Sequence, residues 1–240
     1  MRAFWYVALG IFVVGAVPSL VQAADNTAPE GFVALFNGKD LTGWKGLLRS
    51  PLDNPSKRAA ATPEKLAEAQ KEADELMRKT WRVEDGALVY NGKGRSLCTA
   101  KDYGDFEMWV DWWIPDYADS GIYLRGSPQV QIWDPYTQPV HNTLAVVGSG
   151  GLFNNTKHPS KPLKVADKPI GQWNTFYIKM VGDKVTVKLN GELVVDNVVL
   201  ENYWERDKPI YPTGQIELQH HNDPIRFKNI YMRELPGDKQ

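Results

Sequence analysis

The chain has 240 residues, a formal net charge of −1 and a single cysteine. That balance gives no basic field for nucleic acid, and one cysteine excludes an intramolecular disulfide. Nine Trp and ten Tyr are many for this length, and their flat rings serve either core packing or stacking on a ligand.

Taken in chain order, the first element is a leader. Met1 and Arg2 are a basic start, Ala8 to Val17 is almost wholly apolar, and Val21-Gln22-Ala23 is a small-residue exit. This layout predicts a secretory signal peptide over residues 1–23, cleaved after Ala23. An uncleaved anchor is the alternative, because Phe4 to Ala24 just reaches the roughly 20 residues that span a bilayer. Residues 24–240 then form one domain, large enough to bury a core without disulfides. Cys98 lies in the alternating stretch Ser96-Leu97-Cys98-Thr99 and reads as a buried small residue.

Period-two alternation dominates from Phe32 onward. Phe32 to Phe36 runs into the turn Asn37-Gly38-Lys39-Asp40. Thr62 as cap, Pro63 and Glu64 then open a helix over Lys65 to Lys79. Its apolar stripe is Leu66, Ala69, Ala73, Leu76 and Met77, so a helical insertion near 62–79 is expected as a lid or side brace. Val83 to Tyr90 carries the hairpin signal Asp85-Gly86. Phe106, Met108, Val110 and Trp112 alternate with Glu107, Trp109 and Asp111. Ile122 to Arg125, Val130 to Trp133, Thr175 to Val181 and Val185 to Leu189 follow, the last entering the turn Asn190-Gly191. Glu192 to Val195, Gly214 to His221 and Ile225 to Met232 complete the set. The predicted fold is all-β: a two-sheet antiparallel jelly-roll sandwich. The loop from Gly148 to Pro169 is long for a sandwich connection, and such loops often line a site.

Alternation also sorts the polar residues. With Val110, Leu124, Val130, Ile132, Ile216 and Leu218 inward, the outward set is Trp109, Tyr123, Arg125, Gln129, Gln131, Trp133, Glu217, Gln219 and His221. Amides, carboxylates and a guanidinium beside aromatic rings suit a sugar, whose hydroxyls need hydrogen-bond partners and whose C–H face needs a ring. His220 and His221 are adjacent on a strand and cannot chelate one ion together. His141 and His158 lack ligand spacing, so no metal site is expected, and no cofactor can be named. Neither a phosphate-binding loop nor a nucleophile elbow is present.

These residues stand in blocks that resemble the bacterial 3-keto-disaccharide hydrolase family, relatives in fold of the concanavalin-like and laminin-G-like jelly rolls. The blocks are Phe32 to Trp44, Trp81 to Leu88, Tyr103 to Glu107, Asp119 to Arg125, Gln131 to Asp134, Gly171 to Asn174, and Gly214 to His221 with Ile225 to Ile230. The leader predicts a periplasmic or secreted protein, and the resemblance implies an enzyme that follows a separate sugar 3-dehydrogenase. The ketone acidifies the proton at carbon 2; a base removes it, the glycosidic oxygen leaves carbon 1, and water adds to the enone. Such chemistry needs a base, donors for the enolate oxygen and an acid for the leaving oxygen. His221 is the expected base, since an imidazole titrates near neutrality. Arg125 with Gln131 or Gln219 is the expected ketone clamp, Asp134 and Glu217 are alternative bases, and Tyr123, Trp133 and Trp109 are expected against the sugar. The chain departs from the family pattern at Gln129, where relatives often carry Glu, and at His220, where they often carry Asp. A non-catalytic sugar-binding jelly roll would display the same face without a placed base.

Overall fold

The computed structural model describes residues 25–137 and 140–236; the leader segment lies outside them. Among the described residues the strands are, in chain order, β1 (Val33–Ala34), β2 (Trp44–Gly46), β3 (Trp81–Glu84), β4 (Ala87–Asn91), β5 (Leu97–Thr99), β6 (Phe106–Trp113) and β7 (Asp119–Leu124). They continue with β8 (Ser127–Trp133), β9 (Asn174–Val181), β10 (Lys184–Leu189), β11 (Glu192–Val199), β12 (Glu217–Leu218) and β13 (Pro224–Glu234). Two antiparallel sheets result. The larger runs β11-β10-β9-β6-β13-β4-β3, with β1 also on β13, and the smaller runs β2-β5-β12-β7-β8.

The turn chemistry explains the hairpins. Asp85 and Gly86 both take positive φ (50° and 71°), as do Asn190 and Gly191 (53° and 88°). That is the backbone whose twist matches the flanking strands. Between the sheets lies one core, to which alternate residues contribute: Phe106, Met108, Val110 and Trp112 from β6, Ile122 and Leu124 from β7, Val130 and Ile132 from β8. Each such aliphatic or aromatic side chain contributes roughly 1.5–3 kcal/mol on burial. This apolar set fixes the register, and with it which residues of each strand face away from the core.

The helical insertion is α2 (Pro63–Thr80), capped by Thr62, whose hydroxyl accepts from the Lys65 amide. It braces β2. A side chain at Gly46 would put its Cβ 2.3 Å from the Ala73 carbonyl oxygen, so glycine is what allows the helix to lie this close. Gln70 donates to the Gly46 carbonyl and Asp74 accepts from the Gly46 amide. A second, shorter helix, α1 (Pro55–Ala59), is capped by Asn54 and was not legible in the alternation. Its Ser56 hydroxyl and that of Tyr211 both donate to Glu205, tying α1 to the 201–212 segment.

Candidate functional site

The site is built on the outer face of the small sheet. Glu217 of β12 stands opposite Cys98 of β5 and Tyr123 of β7, while its neighbour Leu218 stands opposite Leu97 and Ile122 in the core. One step along, the Gln219 amide donates to the Gly121 carbonyl, and Gly121 pairs with Gln131 of β8. Asp119 pairs with Trp133. Alternation thus gathers Glu217, Tyr123, Gln219, Asp119, Gln129, Gln131 and Trp133 on one surface. Gly121 has a clear reason to be glycine: a Cβ there would lie 2.7 Å from the Gln129 side-chain oxygen.

Hydrogen bonds lock these groups together. Gln131 Nε2 donates to Asp119 Oδ1 (2.8 Å) and to the Ser120 carbonyl (3.0 Å), and its oxygen accepts from Gln129 Nε2. Gln219 Nε2 donates to the Tyr123 hydroxyl at 3.3 Å. The side-chain oxygens of Gln129 and Gln219 are buried and meet no hydrogen-bond partner among the described protein atoms. A ligand hydroxyl is the natural donor for them, since buried acceptors otherwise go unpaired at a cost.

The electrostatics are uneven. Glu217 is fully buried, and burial pushes its carboxyl up to about 7, against a bond from Gln215 (2.8 Å) and the charges of Arg58 and Arg95. Burial likewise raises the Tyr123 hydroxyl, with Glu217 adding to the shift. Asp119 is raised by burial, opposed by nearby His221 and by the bond from Gln131, and raised further by Asp223. His221 is exposed at the rim of this face. His220 differs: its Nδ1 lies 2.9 Å from Ser96 Oγ, and burial with the Arg95 charge lowers it to about 4, leaving it neutral.

Three expected site residues lie elsewhere. Arg125 is not on the face. β7 ends at Leu124, a bulge interrupts its pairing with β8, and Arg125 takes a left-handed φ of 54° that turns the side chain off the sheet. Its guanidinium is buried, donating to the carbonyls of Gly104, Gly182 and Tyr211 and to Asp105 Oδ1 at 2.6 Å. Asp134 accepts from the amides of Tyr117, Tyr136 and Thr137 and from the Thr137 hydroxyl. Burial raises its carboxyl, but those bonds outweigh it and hold it below its usual value, while tying it to the loop that follows β8. Trp109 belongs to β6 of the other sheet, where it packs on Tyr177 with ring centroids 4.9 Å apart. Period-two alternation tells inside from outside, and cannot tell which sheet an outside belongs to.

Residues that the sequence reading missed complete the surroundings. Asp119 could have been found, since it shares parity with Gly121 and Tyr123 in the stretch Asp119 to Arg125. Arg58, Arg95 and Asp53, which tune Glu217, come from irregular segments that carry no periodic signal. Tyr203 and Trp204 pack edge to face (5.2 Å), and the Trp204 indole donates to the Gly126 carbonyl. At the other end Trp133 meets Phe153 edge-on at 5.1 Å. Among the described residues no cluster of His, Cys, Asp and Glu is placed to hold a metal ion.

A two-sheet jelly roll fixes the architecture and leaves the activity to be read from the site and from relatives. Residues 31–233 match the 3-keto-alpha-glucoside-1,2-lyase-like domain, and the chain belongs to that family. It is 22% identical over 258 residues to a 3-keto-disaccharide hydrolase of Bacteroides thetaiotaomicron, spanning 86% of this chain and 79% of that protein. Two solved structures from Parabacteroides distasonis, provisionally assigned as glycosyl hydrolases, are also similar. One superposes with a TM-score of 0.65 at 25% identity, over 88% of this chain and 100% of the other. The second gives 0.63 at 27% identity, over 87% and 86%.

Proposed function

We propose that this chain is an exported enzyme that cleaves 3-keto-disaccharides, or 3-keto-glycosides more broadly, by proton abstraction beside the ketone. The observation that carries the reading is the composition of one sheet face. An exposed imidazole, His221, sits beside the carboxyl of Asp119, and a protonatable buried carboxyl, Glu217, stands opposite Tyr123 on the neighbouring strand, two residues before Gln219. In the first step His221 takes the proton from carbon 2, and the C–H electrons form the enolate of the 3-ketone. The Gln219 amide and the Tyr123 hydroxyl are the donors available to the enolate oxygen. The enolate then collapses, the C1–O bond breaks, and the leaving oxygen takes a proton, for which Glu217 is the acid. Water adds across the C1–C2 double bond, its hydroxyl to carbon 1 and a proton to carbon 2, giving a free 3-keto sugar.

A separate sugar 3-dehydrogenase supplies the ketone, since nothing in this scheme oxidises a hydroxyl. Export rests on the basic start, apolar run and small-residue exit ending at Ala23, and places the chain in the periplasm or outside the cell. Intact mass of the protein from the cell envelope reads this: a chain still beginning at Met1 contradicts it. The activity is tested by supplying a 3-keto-disaccharide and its unoxidised parent in parallel. Release of sugar from the first alone is the expected result. Comparable cleavage of the parent would mean a mechanism in which the ketone plays no part.

A further inference from the structure

Where the polar row ends at β8, a cavity of about 120 Å³ opens between that strand and the 144–162 segment. Gln131 and Trp133 form its floor, and Leu144, Val147, Phe153 and Pro162 its walls. Its polar groups are mostly spent. The Trp133 indole N–H donates to the Gly148 carbonyl at 2.6 Å. The Gln131 amide is committed to Asp119, Ser120, Ile132 and Gln129. Among the described residues only Ser160 and Lys161 bring further polar side chains to the lining. A second pyranose placed here would lose water from its hydroxyls and find few partners in exchange. A flat apolar ring loses nothing. In size the cavity is close to an apolar one of roughly 150 Å³ in another protein that takes up benzene.

The cavity adjoins the base, because Gln131 on its floor bonds Asp119, the carboxyl that has His221 as a charged neighbour. We infer that it is the leaving-group subsite and that it selects an aromatic or similarly flat apolar aglycone, making aryl 3-keto-glycosides the preferred substrates over 3-keto-disaccharides. This rests on the cleavage reading above for its place in a reaction; the binding preference does not. On cleavage the C1–O bond breaks and the aryl oxygen leaves as a phenolate that takes its proton from water, since Glu217 pairs with Tyr123, four positions along β7 from the Asp119–Trp133 pair.

Phenols are intrinsically better leaving groups than alcohols, so rate alone is a poor readout. Calorimetric binding of phenyl and methyl glucosides, unoxidised and therefore stable in the scheme, separates the two effects. The expected result is phenyl binding at least about tenfold tighter than methyl, as apolar pockets discriminate even single methylenes by about that factor. Phe153 and Leu144 are both well exposed (40% and 52%), so Phe153→Ala and Leu144→Asp are expected to fold, and both should bring the ratio to within about threefold. Equal binding in the unaltered protein, or a preference that survives both substitutions, overturns the subsite. Cleavage of phenyl and methyl 3-keto-glucosides is followed alongside. Phenyl preference without any cleavage would remove the proposed reaction and leave the subsite standing, whereas cleavage without phenyl preference would do the reverse.

Discussion

Glu217 is the buried acid of the proposed reaction, and replacing it has opposite expected effects on stability and activity. In the unfolded chain its carboxyl ionises near 4.5, and in the folded protein near 7. Below pH 4.5 it is protonated in both states and favours neither. As pH rises through that window the unfolded chain releases its proton first, so folding must take up a proton and stability falls; above about 7 the loss is complete. At roughly 1.4 kcal/mol per pH unit, the interval from 4.5 to about 7 amounts to about 3 kcal/mol. Glu217→Gln removes the titration and keeps an oxygen for the Gln215 amide to bond. It should be nearly neutral at pH 4.5 and stabilising at pH 8, by about 6–12 °C in Tm for a domain of this size. Activity should fall in the same protein, because the leaving oxygen loses its acid. Thermal unfolding at the two pH values reads the first effect. An equal Tm change at both, or a loss of stability at pH 8, would refute the assignment of a raised carboxyl to Glu217.

Other consequences are independent of that one. His221→Gln should lose about 10²–10⁴-fold in kcat while sugar binding survives, as expected for removal of a positioned base; full activity would take His221 out of the reaction. Arg125→Met should lower stability by about 3–5 kcal/mol, since it strips one partner from a buried ion pair with Asp105, and should leave kcat of the folded fraction little changed. A large fall in kcat at unchanged Tm would return Arg125 to the site. Glu201 accepts from the amides of Thr156, Lys157 and His158. Burial raises its carboxyl, and these bonds more than offset that, holding it at about 2. Its contribution is therefore present above pH 4.5 and lost as pH falls through about 2. Glu201→Gln should speed hydrogen exchange at those three amides, and unchanged exchange would contradict the anchoring role.

Much of the fold could be read from alternation because the core is a layer between two sheets, and each strand of such a layer writes an inside-outside pattern into its sequence. β6, β9 and β10 follow that pattern, and the turns Asp85-Gly86 and Asn190-Gly191 do what their residue types imply. The same parity placed Tyr123, Gln131, Glu217 and Gln219 on one surface. It failed where the backbone leaves the strand. Arg125 is one residue past the end of β7 and in a left-handed conformation, so counting by twos assigns it to the wrong place. Asp134 follows β8 directly, and its carboxylate folds back onto the loop amides, a local bond that competes with any outward role. β12 is only two residues long, far shorter than Gly214 to His221 suggests, because its flanks bond irregularly to Thr99, Ser96 and Gly121. The burial of Glu217 was invisible for a further reason. It depends on α1 and the segments around Arg58 and Arg95, which come from distant parts of the chain.

The central claim is that the bond at carbon 1 breaks only after carbon 2 gives up its proton. Cleavage of a 3-keto-disaccharide in D₂O, stopped early and read by mass and NMR, tests this directly. Elimination followed by hydration puts one deuterium at carbon 2 of the released 3-keto sugar. Carbon 4, equally acidified by the ketone, is the internal control for exchange after release and should still carry hydrogen. A product whose carbon 2 retains its original proton would contradict the account and point to displacement at carbon 1.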